Sequence, residues 1–333
     1  MESEKFGYTQ EKFEQRKETE EAVQRERRMR DMCYKICVWG IGKIYNRLVN
    51  TLKYYEYKKE IEVVAVTARE VPDCMFLDGW RVIDHKYLGE IFFDYIIIAD
   101  EIPLELTALY LMLSASVQRD KMIPFKVLEI PNLDFSAYVY LKNSRLSIVS
   151  NNCWGGLVYY TLGLECLSPF KNVSFADKDY IKLLQKLDHY MGCSPAFYEM
   201  CVEPNIKTDY PVLLLDDVKI HCNHSTDPDQ AIADWVRRSR KFNWDNVLIT
   251  MYTEDAEIEK SFLQLERYKK KICFVSHTSQ NKDTYELNFS SGQTELWEAV
   301  NSCAVYEYNS GLMYNLVELL NRNKNPECVR REK

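Results

Sequence analysis

The sequence lacks an apolar run long enough to cross a bilayer. A membrane-spanning helix needs about 18 or more consecutive apolar residues, and the best candidate, Leu104 to Val117, is shorter and contains Glu105. The first residues also lack the apolar stretch of a secretion signal. We therefore expect a cytoplasmic protein whose membrane partners, if it has any, are peripheral.

An excess of basic residues is absent as well. The 43 Lys and Arg residues are outnumbered by 50 Asp and Glu residues, which gives a formal net charge of −7. Because nucleic-acid binding requires a basic surface, the charge argues against nucleic acid as a partner. The 11 cysteines are scattered along the chain, a pattern that favours reduced thiols over a disulfide framework.

Internal repeats and low-complexity linkers are missing, and 333 residues exceed the usual size of one domain. Residues 1–31 are densely charged and predict a solvated helical arm, with an oligomerisation arm as the alternative. Residues 32–143 alternate strand and helix patterns, which predicts a Rossmann-like α/β domain with a parallel sheet. Residues 144–325 predict a second α/β domain, a three-layer α/β/α arrangement with a mixed sheet.

The end of the first domain is marked by an apolar segment and a connection. We predict the last strand near Phe125 to Ile130, and Pro131 to Ser144 as the connection to the second domain.

Gly40 and Gly42 stand between a predicted strand and a predicted helix, where a dinucleotide-binding turn would lie. Tyr45 occupies the place of the third glycine, and Thr67 and Ala68 stand where an acidic residue would contact a ribose. A tight turn that binds a nucleotide or phosphate at the helix start is therefore the alternative to a bound nicotinamide or flavin.

The second domain begins with an apolar strand and the turn Ser150-Asn151-Asn152-Cys153-Trp154-Gly155-Gly156. Small polar residues and paired glycines at a strand-to-helix turn favour exposed backbone N–H groups that bind an anion. The residues predicted to bind a ligand are Asn151, Asn152, Trp154, Gly155 and Gly156.

Cys153 lies at the start of the following helix, a position that lowers a thiol pKa and favours a nucleophile. Candidate bases are His221 and His224, with Asp216 or Asp217 to orient one of them. The alternative is a thiol packed beside its neighbours in the core.

Asp216 and Asp217 follow an apolar strand, where a carboxylate pair can hold a divalent cation against phosphates. In this interpretation Asp217 and His221 provide metal or acid/base chemistry. The alternative is a turn in which Asp217 bonds to local backbone.

Arg238 lies on a predicted helix near Arg237 and Arg240, and Asn243 belongs to an aromatic and polar segment that follows. Arginine binds phosphate or carboxylate through two donors, so Arg238 and Asn243 are candidate ligand-binding residues. Stabilisation of the helix C-terminus is the alternative.

Several of these motifs together resemble the bacterial family called domain of unknown function 1919, whose members are often described as exopolysaccharide biosynthesis proteins. The resemblance rests on the turn at 150–156 and on Leu162-Gly163-Leu164, Ser168-Pro169-Phe170, Asp179-Tyr180, Tyr210-Pro211-Val212, Leu215-Asp216-Asp217, Ile220-His221, Trp235, Arg238 and Asn243 to Asn246. It implies an α/β domain and a role in surface-polysaccharide assembly, and it assigns no catalytic residue.

The combined expectation is a transferase of exopolysaccharide or capsule biosynthesis that uses a nucleotide sugar or sugar phosphate. Two alternatives stay open, a Cys-dependent acyl transferase or hydrolase and a non-catalytic binding or assembly protein of the polysaccharide machinery.

Overall fold

The computed structural model describes residues 33–202, 209–287, 295–304, 312–313, 315–322 and 329–330. The predicted charged arm over residues 1–31 lies outside the described residues. The chain divides into two compact units, residues 1–121 and 122–333. Both units contain helices and parallel strands, which confirms the α/β class. Within the described ranges, no helix is long and apolar enough to cross a membrane.

The first unit is built on a parallel sheet. Its elements are β1 (Tyr34–Trp39), α1 (Lys43–Tyr57), β2 (Ile61–Thr67), β3 (Phe76–Leu77), β4 (Trp80–Arg81), β5 (Tyr95–Ile98) and α2 (Leu104–Ala115), with 3₁₀ turns at His85–Glu90 and Arg119–Lys121. β1 pairs in parallel with β2 on one side and β5 on the other. The carboxyl ends of all three strands therefore lie at one edge, whereas β3 and β4 form a separate antiparallel pair.

Helix α1 covers this sheet because its apolar residues recur at intervals of three and four. Tyr45, Leu48 and Leu52 are almost completely buried, as are Cys37 and Val38 of β1. The helix start is thereby fixed next to the end of β1.

The second unit contains more elements. They are β6 (Met122–Pro124), α3 (Phe135–Asn143), β7 (Ser147–Ser150), α4 (Trp154–Leu162), α5 (Asp177–Gln185), α6 (Leu187–Gly192), β8 (Ala196–Cys201), β9 (Tyr210–Leu215), β10 (Val218–His221), α7 (Pro228–Ser239), β11 (Val247–Tyr252), α8 (Ala256–Leu263), β12 (Lys270–Val275), β13 (Thr284–Glu286), α9 (Leu296–Ala304), β14 (Leu312–Met313), α10 (Leu316–Arg322) and β15 (Val329–Arg330).

The strands of the second unit form separate sheets rather than the one mixed sheet predicted from the sequence. One sheet is parallel, in the order β13-β12-β11-β7, and another is antiparallel, in the order β10-β9-β8. β14 and β15 form a further antiparallel pair. Asp216 and Asp217 form the two-residue turn that folds β10 back against β9, and a loop this short joins only antiparallel strands.

The boundary region also differs from the expectation. Phe125–Glu129 is a 3₁₀ turn that follows the short strand β6, and helix α3 lies within the segment predicted as a connection. Asp134 caps this helix by accepting a hydrogen bond from the Ala137 N–H at 2.8 Å. Tyr138 Oη donates to the Leu162 carbonyl at 2.8 Å. These contacts make α3 part of the second unit, whose start precedes the predicted residue 144.

A buried tyrosine fixes the ends of two parallel strands. Tyr180 is fully buried, and its Oη lies 2.8 Å from the carbonyl oxygens of both Val149 and Thr250. The carboxyl ends of β7 and β11 are thereby held side by side, and the turn that follows β7 starts from a rigid position.

Candidate functional site

The turn after β7 is closed by hydrogen bonds within itself. Ser150 Oγ donates to the Asn152 carbonyl at 2.6 Å and accepts from the Gly155 N–H at 3.4 Å. Asn152 Oδ1 accepts the Trp154 N–H at 3.1 Å, and its Nδ2 donates to Asn301 at 3.3 Å. Two of the N–H groups predicted to bind an anion are therefore already paired, because side chains of the turn cap the helix.

Asn151 links two strands. Its Nδ2 donates to the Tyr252 carbonyl at 3.1 Å, and its Oδ1 accepts the Tyr252 N–H at 3.2 Å. The residue is 1% exposed. Its amide thus mimics a strand pairing and extends the contact between β7 and β11, instead of facing a ligand as the sequence predicted.

Trp154 and Gly155 belong to the packed interior. Trp154 is fully buried and its ring centroid lies 5.2 Å from that of Phe274. A Cβ added at Gly155 would lie 3.0 Å from Ile148 Cγ2 and from Ser150 Oγ. The glycine therefore allows α4 to approach β7 closely, and neither residue presents a surface to a ligand.

Cys153 and His224 form a thiol–imidazole pair. Cys153 Sγ lies 3.0 Å from His224 Nε2. Burial raises the pKa of Cys153 to about 11 and lowers the pKa of His224 below its ordinary value. Both groups are consequently neutral near pH 7, with the thiol positioned to give its proton to the imidazole.

The partner of Cys153 is His224 because the chain turns at Asn223 and His224 after β10 ends. His221 lies on β10, with Nδ1 3.4 Å from Tyr210 Oη. His224 lies beyond the end of this strand.

A pocket of about 180 Å³ lies beside this pair and includes His224 in its lining. Lys171 and Asn172 line it as well. A Cβ added at Gly156 would lie 3.0 Å from Asn172 Oδ1 and 3.1 Å from Lys171 Cγ. Gly156 is three residues from Cys153 and on the same side of α4, so the pocket adjoins the face of the helix that carries the thiol.

Arg238 contributes to the same pocket, as do Asp234 and Trp235. The guanidinium donates to Asp234 Oδ2 at 2.7 Å and to the Lys171 carbonyl at 3.1 Å. Trp235 is 3% exposed, and its Nε1–H has no acceptor among the described residues. A buried donor of this kind is costly without a partner.

Asp216 and Asp217 form the turn between β9 and β10, where Asp216 adopts φ 55°. Asp217 pairs with Lys182 and accepts from Tyr190 Oη at 2.8 Å, while Asp216 lies 2.8 Å from His189 Nε2. The hydrogen bond from Lys182 holds the pKa of Asp217 below its usual range.

These contacts bear on the predicted metal and acid/base roles. Over the ranges that the structure describes, no three His, Cys, Asp or Glu residues are grouped so as to hold a metal ion. Asp217 and His221 lie four residues apart along an extended chain, about 13 Å at the usual strand rise. The structure therefore separates the predicted acid/base pair.

Asn243 stabilises a turn. Its N–H donates to Ser147 Oγ at 2.8 Å, its Nδ2 donates to the Arg145 carbonyl at 2.7 Å, and its Oδ1 accepts the Asp245 N–H at 3.2 Å. Of the residues predicted to bind a ligand, Arg238 is the one that lines the pocket.

A buried carboxylate near the carboxyl end of β12 was not predicted from the sequence. Glu259 is 7% exposed and lies 2.8 Å from His277 Nε2, and it accepts from Ser279 at 3.2 Å and Thr284 at 3.1 Å. His277 follows β12, and its position after a strand was the only available sequence clue. Glu259 lies in a helix, where charge alone does not distinguish a buried carboxylate from a solvated one.

The first unit contains a larger cavity, of about 560 Å³, that includes Gly40 and Gly42 in its lining. Gly40 has φ 102°, and a Cβ there would lie 2.3 Å from the Ala99 carbonyl oxygen. Tyr45, in the place of the third glycine, is fully buried and donates to Asp78 at 2.8 Å. The glycine turn is thus real, whereas the dinucleotide pattern is interrupted by a large buried side chain.

Comparison with known proteins gives three similarities. The family model described as Domain of unknown function (DUF1919) matches residues 125–321. The family model described as C2185-like, N-terminal, matches residues 32–110. The chain is also 28% identical over 137 residues to an uncharacterised protein of Haemophilus influenzae, an alignment that covers 40% of this chain and 64% of that relative.

Proposed function

This chain belongs to the family described as domain of unknown function 1919, and we propose that it is an acyl transferase or hydrolase that uses Cys153 as its nucleophile. The observation that carries the proposal is the distance of 3.0 Å between Cys153 Sγ and His224 Nε2. A nucleophile and a base within hydrogen-bond reach at a strand-to-helix turn are the requirements of covalent group transfer.

In the first half-reaction the thiol proton passes to His224 Nε2 while Sγ attacks the carbonyl carbon of an acyl donor. The C–S bond forms, the bond to the leaving group breaks, and the leaving oxygen or sulfur takes the proton from Nε2. In the second half-reaction an acceptor hydroxyl or water gives its proton to Nε2 and attacks the thioester. The C–S bond then breaks, and the thiolate recovers the proton.

Lys171 and Arg238 are the cations of the adjoining pocket, and they would stabilise negative charge on the substrate. Because the Trp154 N–H is occupied by Asn152, the backbone donor that usually follows a nucleophile is not free to bind an oxyanion. Charge stabilisation is therefore assigned to these side chains.

The biological setting that we propose is surface-polysaccharide assembly in the cytoplasm, with a saccharide hydroxyl as acceptor. Its support is the resemblance of the second domain to proteins described as taking part in exopolysaccharide biosynthesis. We further propose that the first unit is a Rossmann-like domain, since its β1-α1-β2 order and parallel pairing agree with such a unit.

Acyl-enzyme formation tests this function. Purified protein is incubated with a panel of acyl-CoA thioesters, and the modified cysteine is located by peptide mass spectrometry. We expect an acyl adduct on Cys153, none at that position in Cys153→Ala, and slower formation in His224→Asn. Cys166→Ala is the matched control and should react as the wild type does. Acylation that spares Cys153 throughout the panel would contradict the proposal.

A transferase of a nucleotide sugar or sugar phosphate is the second candidate. The observation in its favour is the small pocket in which Lys171 and Arg238 could bind phosphate oxygens. Calorimetric titration with UDP-sugars and hexose phosphates, with and without Mg²⁺, tests this candidate. Binding that is lost in Arg238→Gln, together with transfer that survives in Cys153→Ala, would favour it over acyl chemistry.

A further inference from the structure

The cavity of about 560 Å³ in the first unit lies at the carboxyl edge of its parallel sheet. β1 stands between β2 and β5 in that sheet, so the chain leaves β1 in one direction and later returns on its other side. In open α/β sheets, ligands bind in the crevice formed where the strand order reverses. The cavity occupies that crevice, since residues that follow each of the three strands line it.

The turn after β1 brings backbone close to the cavity. The built Cβ position at Gly40 lies 2.3 Å from the Ala99 carbonyl oxygen, so the turn passes directly against the segment that follows β5. Gly42 is the N-cap of α1, has no side-chain cap, and has no atom within 4 Å of a built Cβ. The first N–H groups of this 15-residue helix therefore lie beside open space, where they can bind an anion.

Thr107 is a buried polar residue of the cavity wall. It lines the cavity from α2, is 4% exposed, and its hydroxyl has no hydrogen-bond partner in the part of the chain that the structure describes. Buried hydroxyls are normally hydrogen-bonded.

Two cations, Lys43 and Arg69, and the Tyr110 ring line the cavity together with the carboxylates of Glu70, Asp100 and Glu101. Lys43 lies at the start of α1, and the Arg69 guanidinium stacks 4.5 Å from the ring centroid of Tyr110. Arg69 follows β2, close to the place where dinucleotide sites carry an acidic residue. The side chains of Lys43 and Arg69 can bind phosphate oxygens, and a stacked guanidinium suits the flat face of a base.

We propose that this cavity binds a nucleoside phosphate, with the phosphate at the start of α1 and the nucleoside toward Arg69 and Tyr110. The volume lies within the range of about 300–1,000 Å³ that small-molecule sites occupy. A single nucleotide is favoured over a dinucleotide because buried Tyr45 stands in the place of the third glycine. This site is independent of the chemistry at Cys153.

Isothermal titration of the full chain with ADP, UDP, NAD, adenosine and inorganic phosphate tests the proposal. We expect ADP or UDP to bind at least tenfold more tightly than both adenosine and inorganic phosphate, because the site contacts both parts of the ligand. Cys153→Ala should bind the same nucleotide unchanged. Absence of nucleotide binding at millimolar concentration, or adenosine binding as tight as that of ADP, would overturn the proposal.

Gly42→Asp separates ligand binding from folding. Its extended backbone accepts any residue, and aspartate is a preferred N-cap, so Tm without ligand should be unchanged or higher. The added carboxylate would repel phosphate, and nucleotide affinity should fall at least tenfold. Gly89→Asp is the matched control, because it adds the same charge to the same unit. Gly89 also has open space around a built Cβ. Wild-type affinity in Gly42→Asp would refute the assignment.

Discussion

The thiol of Cys153 and the imidazole of His224 meet as neutral partners. Burial raises the pKa of the thiol to about 11 and lowers the pKa of the imidazole, so proton transfer between them at 3.0 Å does not occur before a substrate arrives. The pair resembles a hydroxyl–imidazole nucleophile in this respect more than a preformed thiolate–imidazolium pair, in which the thiol pKa is strongly depressed.

The pH dependence of alkylation tests this description. Because the thiolate is the reactive form, iodoacetamide should modify Cys153 more slowly at pH 7.5 than an exposed thiol of ordinary pKa, about 8.5. The rate should rise about tenfold for each pH unit and continue rising beyond pH 10, in proportion to the thiolate fraction. Peptide mass spectrometry measures the rate at each cysteine, with the exposed Cys74 as internal control. A rate that levels off below pH 8 would show that the thiolate is already present.

The two hydrogen bonds between Asn151 and Tyr252 predict a structural role for this asparagine. Asn151→Ala should lower the free energy of unfolding by about 2 kcal/mol, since each lost hydrogen bond costs about 1 kcal/mol. Urea denaturation measures the change, and exposed Asn50→Ala on α1 serves as the control with no expected loss. An unchanged midpoint for Asn151→Ala would contradict the structural role.

Close packing at Gly155 predicts that adding one methyl group there lowers the stability of the fold. Gly155→Ala places a Cβ 3.0 Å from Ile148 Cγ2 and Ser150 Oγ, and overpacking of this kind costs about 1–3 kcal/mol. Gly192→Ala is the matched control, because no atom lies within 4 Å of its built Cβ. Thermal unfolding should separate the two variants, and equal Tm values would contradict the packing role.

The pairing of Asp217 with Lys182 and Tyr190 predicts an acid-sensitive contribution to stability. The folded pKa of Asp217 lies below its ordinary value, so the contribution is present above about pH 3.9, the ordinary Asp pKa, and is lost as the pH falls through the folded pKa. Asp217→Asn should therefore lower Tm at pH 7 and lower it less near pH 3.

Activity provides the second readout for Asp217. If chemistry occurs at Cys153, Asp217→Asn should form the acyl-enzyme at the wild-type rate, as should the control Asp73→Asn in an exposed loop. Loss of acylation in Asp217→Asn at unchanged Tm would indicate that this carboxylate takes part in the reaction.

Local patterns predicted many of the individual elements. The strand and the helix expected on either side of Gly40 and Gly42 occur as β1 and α1, and the apolar strand expected before the turn at 150–156 occurs as β7. Alternation of strand and helix was sufficient here, because buried parallel strands are nearly continuous apolar runs.

Contacts between distant residues were less predictable. Sequence spacing offered both His221 and His224 to Cys153, and only the turn at Asn223 decides between them. The glycines after Cys153 were interpreted as exposed backbone, yet the added Cβ contacts at Gly155 show that their small size serves packing. Composition cannot distinguish these two uses of glycine, since both require the absence of a Cβ.

The position of β7 in its sheet has a consequence for synthesis on the ribosome. Its carboxyl end is joined to β11 through Asn151 and Tyr252, which are 101 residues apart, and β7 pairs with no other strand among the described residues. At translation rates of about 5–20 residues per second, the apolar strand waits roughly 5 to 20 s for its partner. During that interval it is a natural target for a chaperone that binds nascent chains.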